Sequence, residues 1–217
     1  MPNYDLVSAW RFVEKRISDA QKTAPALIAE FRNNPSENAF KGTYLAVSAH
    51  IYQAYEKFRK ACKARSFDNQ KMLIEFKAKH GTKWNIIEQK NNLHFLSSQR
   101  NIKNATTTRL SIQLNPSSIQ YVPNDLLAVS KAICSSAENI HDTNAKAMID
   151  WKFVEKKSIG GRIDDIVIYI EAMGSDILAQ DMGKALAKDL APYLEKKSWG
   201  IPGAVKICDG IYYAGEC

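Results

Sequence analysis

The second half of the chain alternates apolar and polar residues, which is the period-two pattern of a half-buried β-strand. In the segment 107–114, Leu110 and Ile112 alternate with Arg109 and Ser111. Successive side chains of a strand point to opposite faces, so the apolar pair belongs to a core and the polar pair to the other face. We therefore predict a strand whose apolar side packs on helices.

Three further segments, 92–98, 151–154 and 166–170, have the composition of strands. A polar stretch separates 92–98 from 107–114, which predicts that these two runs form a hairpin with a long loop. The segments 151–154 and 166–170 are predicted to form a second hairpin in the same way.

Apolar residues recur every three or four positions elsewhere in the chain, which is the spacing of an amphipathic helix. Two such stripes in the N-terminal part consist of Leu6, Trp10, Val13 and Ile17, and of Ile51, Tyr55, Phe58 and Cys62. Further helices are predicted over 70–80, which ends at Gly81, over 123–135, and over 175–196. The dense glycine and aromatic residues of the tail, 199–216, predict a segment that folds back over the sheet.

This order of elements predicts an α+β fold in which a mainly antiparallel sheet is covered by helices. The helical N-terminal region occupies 1–90, and the α+β domain occupies 91–217. A chain of 217 residues is long enough to bury a genuine core.

Positive charge is concentrated in the first half of the chain. Residues 1–103 hold 18 Lys and Arg against 9 Asp and Glu, whereas the remainder holds 12 against 14. The densest basic run consists of Lys57, Arg59, Lys60, Lys63 and Arg65. Such a run can bind an acidic partner or nucleic acid, but a solvated helix face has the same pattern. No recognised nucleic-acid-binding motif accompanies it, so we do not expect a nucleic-acid partner.

The composition argues against several other classes of protein. The 4 cysteines form no Cys-x-x-Cys pair, so neither a zinc module nor a disulfide framework is expected. No apolar run approaches the roughly 20 residues that span a bilayer, and the N-terminus lacks the pattern of a cleavable signal peptide. We expect reduced thiols in a cytosol, no cofactor and no metal, and any export by a specialised route.

Basic residues on the polar sides of the predicted strands are the candidate site. Trp151 and Phe153 are expected to point into the core, so Lys152 points the other way, as Arg109 does. If that face is open, it also collects Ser111 and Arg162. Clustered cations bind phosphate or carboxylate, which makes Lys152 a candidate base and the arginines candidate anion ligands. Ordinary solvated strand residues give the same spacing.

His94 is the histidine that the sequence places near this site. It lies in the predicted strand 92–98, so its side chain can enter the cleft as an acid or as a phosphate-binding group. A partly buried strand histidine without a catalytic role fits the pattern equally well. No glycine-rich phosphate-binding loop is present, because the Gly160-Gly161 pair leads into a strand and has the pattern of a turn.

Residues 92–217 resemble the HopA class of type III effectors from plant-pathogenic bacteria and their relatives in peptide-modifying gene clusters. The resemblance rests on the segments 109–115, 162–169 and 201–216, in that order and spacing. It implies a secreted virulence protein. That family is structurally similar to phosphothreonine lyases, which are carbon–oxygen lyases that remove phosphate by β-elimination.

The resemblance also implies roles for individual residues. Lys152 would be the base, and Arg109 and Arg162 would hold the phosphate, with Ser111 beside them. Those lyases carry a histidine acid where this chain has Ser111, and serine is a poor proton donor at neutral pH. Elimination would therefore require that His94 or a tyrosine substitute for this acid.

Three functions remain open from the sequence. The favoured one is an effector-type protein that binds a phosphorylated or otherwise acidic host or client protein through a basic cleft. The alternative is an active phosphothreonine or phosphoserine lyase that acts on a host phosphoprotein or a precursor peptide. The third is a non-catalytic interaction module that uses the basic N-terminal helices. We expect synthesis in the producer's cytoplasm, with delivery into a host cell or retention as the two destinations, and no membrane partner.

Overall fold

A computed structural model represents the protein and describes the following residues: 15, 18–19, 21–22, 24–26, 29, 33, 65–89, 92–97, 105–144, 147–153, 158–160, 162, 164–196, 201 and 204–216. The chain divides into two compact units, 1–64 with 161–163, and 65–160 with 164–217. The first unit is helical at every described position from 15 to 33, and the exposed Lys15 forms an ion pair with Asp19. Both predicted apolar stripes of this region lie outside the described residues.

The second unit begins at residue 65, whereas the sequence analysis divided the chain between 90 and 91. Its elements, in chain order, are β1 Arg65–Ser66, α1 Asn69–His80, β2 Asn85–Gln89, β3 Asn92–Leu96, β4 Thr106–Ile112, α2 Val122–Thr143, β5 Met148–Phe153, β6 Ser158–Ile159, β7 Ile166–Ala172, α3 Ser175–Asp189, β8 Val205–Cys208 and β9 Ile211–Glu216. The predicted division into domains stays a prediction.

A seven-stranded sheet organises this unit. Its order is β2-β3-β5-β7-β4-β9-β8, and every neighbouring pair of strands is antiparallel. The short strands β1 and β6 form a separate antiparallel pair. Three helices and an antiparallel sheet confirm the predicted α+β class.

The four predicted strands are present, but one of the two predicted pairings is wrong. The β5–β7 hairpin is confirmed, whereas the predicted hairpin of 92–98 with 107–114 is wrong: β3 pairs with β2 and β5, and β4 lies between β7 and β9. The β2 strand was not predicted, because only its two isoleucines are apolar. The tail does not fold over the sheet; it enters the sheet as β8 and β9.

Helix ends follow local chemistry. The Asp68 side chain accepts a hydrogen bond from the Lys71 backbone N–H at 3.1 Å and so caps α1, which ends at Gly81 as predicted. The helix α2 runs to Thr143, about two turns beyond the prediction, because Ser136 and Ala137 continue its buried side without large apolar residues. The helix α3 stops at Asp189, and Pro192 lies in the turns that follow.

The core lies between one face of the sheet and the three helices. The aromatic rings of Phe95 and Trp151 stack at 3.7 Å between centroids, and Phe76 of α1 stacks on Phe153 at 5.5 Å. All four side chains are buried, and full burial of one large apolar side chain stabilises a fold by about 1.5–3 kcal/mol. These contacts fix α1 to the β3 and β5 strands.

Close approach of α3 to the sheet depends on Gly183. A Cβ atom at this position would lie in contact with the side chains of Ile207, Leu110 and Ile211. The glycine leaves room for the terminal methyl group of Ile207, although a glycine in the middle of a helix otherwise costs stability. The contact also shows that α3 lies on the face of the sheet to which Leu110 and Ile211 point.

Asp165 joins three parts of the fold. Its buried carboxylate accepts hydrogen bonds from the backbone N–H groups of Leu114 and Gly160, both at 2.7 Å. Its own backbone N–H donates to the carbonyl oxygen of Ile112 at 2.9 Å. The residue thus fixes the end of β4 and the turn after β6 at the start of β7.

Candidate functional site

The strands present a second face, opposite to the one that packs on α1–α3. Side chains alternate along each strand, so the positions between the core residues belong to this face. Residues in register across an antiparallel sheet point to the same side. We call this surface the polar face and describe it in three rows that cross the strands.

The lysine row contains most of the predicted site. Register pairs join His94 to Lys152, Lys152 to Val167, Val167 to Ser111, and Ser111 to Tyr212. Sequence-distant residues therefore lie side by side because β5 and β7 come between β3 and β4. The prediction that Lys152 points away from the core is confirmed, since Trp151 and Phe153 are buried beside it.

The arginine row lies two residues further along each strand. It joins Asp150 to Tyr169, Tyr169 to Arg109, and Arg109 to Ala214. The Cα atoms of Lys152 and Arg109 are two strands and one row apart, which corresponds to about 12 Å. Long side chains cover such a distance, so the structure brings Lys152 and Arg109 to one area of the polar face.

Tyr169 lies between these two cations. The Nζ atom of Lys152 is 5.0 Å from the centroid of the Tyr169 ring, a cation–π contact. Tyr169 is also the register partner of Arg109. The Lys152 side chain therefore reaches from the lysine row towards the arginine row, in which Arg109 is the neighbour of Tyr169 on β4.

His94 is adjacent to Lys152 on the side away from Arg109. Burial lowers the pKa of the half-buried His94 imidazole, and the positive charge of Lys152 lowers that pKa further. The imidazole is therefore neutral at pH 7. Three strand spacings separate β3 from β4, or about 14 Å, so His94 can act with Lys152 more directly than with Arg109.

Ser111 occupies the centre of the row but has little access to solvent. Its side chain is 1% exposed, and its neighbours Val167 and Tyr212 are buried as well. A ligand could reach the Ser111 hydroxyl only if surrounding residues moved. Its assignment to phosphate binding stays a prediction, whereas Lys152, Tyr169 and Arg109 are half-buried and so partly exposed.

Arg162 belongs to the first unit, in the short stretch 161–163. Its side chain is half-buried. The polar face belongs to the second unit, so the role of Arg162 in phosphate binding stays a prediction.

Two carboxylates also belong to the polar face, and the sequence analysis missed both. Asp150 lies in the arginine row, where its Oδ1 atom accepts a hydrogen bond from the Ser97 backbone N–H at 2.7 Å. Glu171 lies in the next row, the glutamate row, where its register partners are Met148 and Thr107. The alternation within β5 and β7 would have indicated both carboxylates, because Asp150 lies two residues before Lys152 and Glu171 lies two residues after Tyr169. The face therefore carries charges of both signs.

Other titratable groups of the second unit are structural. His80 and Ser130 are within hydrogen-bond distance, 2.9 Å between Nε2 and Oγ, but both are buried and the Ser130 hydroxyl also donates to the Leu127 carbonyl oxygen. Burial raises the pKa of the Cys134 thiol to about 12. A buried thiol of that pKa is a core residue and not a nucleophile.

Neither a metal-binding cluster nor a membrane-spanning helix occurs in the part of the chain that the structure describes. Within it, no group of His, Cys, Asp or Glu residues is placed to hold a metal ion. Nor does any helix there combine the length and apolar character needed to cross a membrane.

Comparison with known proteins gives a likeness of fold. No protein-family model matches the chain, and no curated protein matches it either. The solved structure of an effector protein from Pseudomonas syringae pv. tomato strain DC3000 is similar at a TM-score of 0.53 and 13% identity, covering 93% of this chain and 80% of that one. An effector protein from Pseudomonas syringae pv. syringae strain 61 gives a TM-score of 0.45 and 14% identity, with 94% and 79% covered. The chain thus has a fold similar to that of the first effector.

Proposed function

We propose that this protein is an effector that binds a phosphorylated or otherwise acidic protein through the polar face. The observation that carries the proposal is that Lys152 and Arg109 lie on the two strands that flank Tyr169, with the Lys152 ammonium over the Tyr169 ring, on the face of the sheet opposite the three helices. The effector-like fold supports the same class of function. Membership of the HopA class, a virulence role and delivery into host cells by a specialised secretion system form part of this proposal.

The chemistry of the two cations suits a phosphate group. The guanidinium of Arg109 offers paired N–H donors that match two phosphate oxygens, and the Lys152 ammonium supplies a point charge. Both side chains are half-buried, so their attraction for an anion is screened less than at a fully exposed site. The Tyr169 ring fixes the direction of Lys152 before a ligand arrives, which lowers the entropy lost on binding.

A lyase is the second candidate, and the register pair of His94 with Lys152 favours it. In this reaction Lys152 takes the Cα proton of phosphothreonine, the Cβ–O bond breaks, a Cα=Cβ double bond forms, and inorganic phosphate leaves with a proton from His94. Binding is the better candidate, because burial and the positive charge of Lys152 lower the pKa of His94 and leave little imidazolium to act as an acid.

The test compares the full chain with two variants, each of which replaces one lysine by alanine. Lys152→Ala removes a cation from the polar face, and Lys188→Ala removes an exposed lysine from α3. Fluorescence anisotropy measures binding of labelled phosphothreonine and phosphoserine peptides and of their unphosphorylated forms. We expect phosphate-dependent binding that weakens about tenfold to a hundredfold in Lys152→Ala only, which is the size of one charge-assisted hydrogen bond.

Intact masses of the same peptides separate the candidates. A loss of phosphoric acid that requires Lys152 would replace the binding function by the lyase. Binding that is unchanged in Lys152→Ala but lost on charge reversal at Lys60 and Lys63 would favour the interaction module of the basic N-terminal region. Both of those lysines lie outside the described residues.

A further inference from the structure

Charges of both signs follow one another along the polar face. Lys152 lies in the first row, Arg109 and Asp150 lie in the second, and Glu171 lies in the third. Neighbouring rows are about 7 Å apart, because residues i and i+2 of a strand have that separation. The face is therefore not a uniformly basic surface, but one whose positive end is followed by a carboxylate along the strand direction.

Glu171 is the carboxylate of the glutamate row, and both of its register neighbours are described. It is half-buried, and its register neighbours Met148 and Thr107 carry no charge. Among the described residues, no lysine or arginine forms an ion pair with it. A half-buried carboxylate in such a position attracts a cation from outside the protein.

The distance between the charges restricts the ligand. The Lys152 ammonium lies over the Tyr169 ring, and Tyr169 and Glu171 are two residues apart on β7. The ammonium and the Glu171 carboxylate are therefore roughly 7–10 Å apart. An extended peptide spans this distance in two or three residues.

We infer that the polar face selects a phosphorylated segment with a basic residue two or three positions from the phosphate. Lys152 and Arg109 hold the phosphate, and Glu171 holds the lysine or arginine of the ligand. Glu171 is then a residue that determines specificity. This inference rests on the proposed function, because it assumes that phosphate binds beside Lys152.

Charge complementarity favours this ligand over a polyacidic one. A second phosphate or a glutamate at the same spacing would lie beside Glu171 and be repelled by it. A basic residue would instead form one intermolecular ion pair, which strengthens binding about three- to fivefold. The preference should weaken with added salt, because the pair remains partly solvated.

The experiment uses nine-residue peptides with a central phosphothreonine. In one set of peptides, the second and third residues before the phosphothreonine are arginine, glutamate or alanine. In the other set, the second and third residues after it are varied in the same way. Each peptide has an unphosphorylated counterpart. Binding to the full chain is measured by anisotropy. Glu171→Gln removes the charge with little change of shape, and Glu75→Gln makes the same change on α1, away from the polar face.

The expected result is a three- to fivefold preference for arginine over glutamate on one side of the phosphate, lost in Glu171→Gln and kept in Glu75→Gln. Equal binding of both peptides, or a preference that survives Glu171→Gln, overturns the inference while phosphate binding through Lys152 stands. If no phosphorylated peptide binds more tightly than its counterpart, the proposed function fails and the inference fails with it. Circular dichroism of each variant confirms folding.

Discussion

Replacement of Asp165 by alanine tests whether one carboxylate joins β4, β6 and β7. The side chain is 4% exposed and accepts two backbone hydrogen bonds at 2.7 Å, from Leu114 and Gly160. Asp165→Ala leaves both buried N–H groups without this acceptor. Each such group costs about 1–3 kcal/mol, so the free energy of unfolding should fall by roughly 2–6 kcal/mol.

Asp165→Asn should cost less than Asp165→Ala. The amide keeps one carbonyl oxygen for one of the two N–H groups, but it turns an N–H donor towards the other. We expect a loss of about 1–3 kcal/mol for this variant. The matched control is Asp181→Ala on α3, which removes an exposed aspartate and should change stability by less than about 0.5 kcal/mol.

Urea denaturation followed by tryptophan fluorescence measures these differences, with thermal unfolding as a second assay. For a unit of this size, 1 kcal/mol shifts the melting temperature by about 2–4 °C, so Asp165→Ala should lower it by roughly 4–24 °C. A loss below about 1 kcal/mol for Asp165→Ala would refute the reasoning, because it would mean that water or neighbouring groups satisfy both N–H groups.

Three further predictions concern packing and titration. Gly183→Ala should lower the free energy of unfolding by about 1–3 kcal/mol despite the better helix propensity of alanine, because the added methyl group meets Ile207; an unchanged urea midpoint would contradict this. Burial lowers the pKa of His80 below its usual 6.5. As the pH falls through 6.5, the unfolded chain therefore binds more protons than the folded protein, and the free energy of unfolding decreases. In His80→Gln, the free energy of unfolding should depend less steeply on pH between pH 7 and 5. Cys134, with its buried thiol of raised pKa, should react with iodoacetamide at pH 8 much more slowly than the half-buried Cys208, as mass spectrometry of the digested protein would show; equal rates would contradict it.

The strands of the fold could be predicted because their signal is local. The alternation of Leu110 and Ile112 with polar residues identifies both the strand and its core face, and the structure confirms both. Strand partners carry no such local signal. The neighbours of β4 are distant in sequence, so the alternation fits a hairpin with the preceding strand as well as it fits the observed order.

The same distinction applies to the candidate site. The direction of Lys152 follows from its two aromatic neighbours, and the sequence suffices for it. Its proximity to Tyr169 follows from the β5–β7 register, which no pattern within either strand reveals. The burial of Ser111 has no signal within its strand, where the alternation places it among polar side chains.

The position of β4 in the sheet has a consequence for synthesis. Thr107 pairs with Glu171 of β7 on one side and with Glu216 of β9 on the other, so β4 acquires its second partner only after residues 211–216 have been synthesised. Contacts of such separation fold slowly, and until they form β4 is an open edge with apolar side chains on one face. A growing or truncated chain that lacks residues 204–216 should therefore self-associate, and a chaperone that covers this edge would prevent the association in the cell.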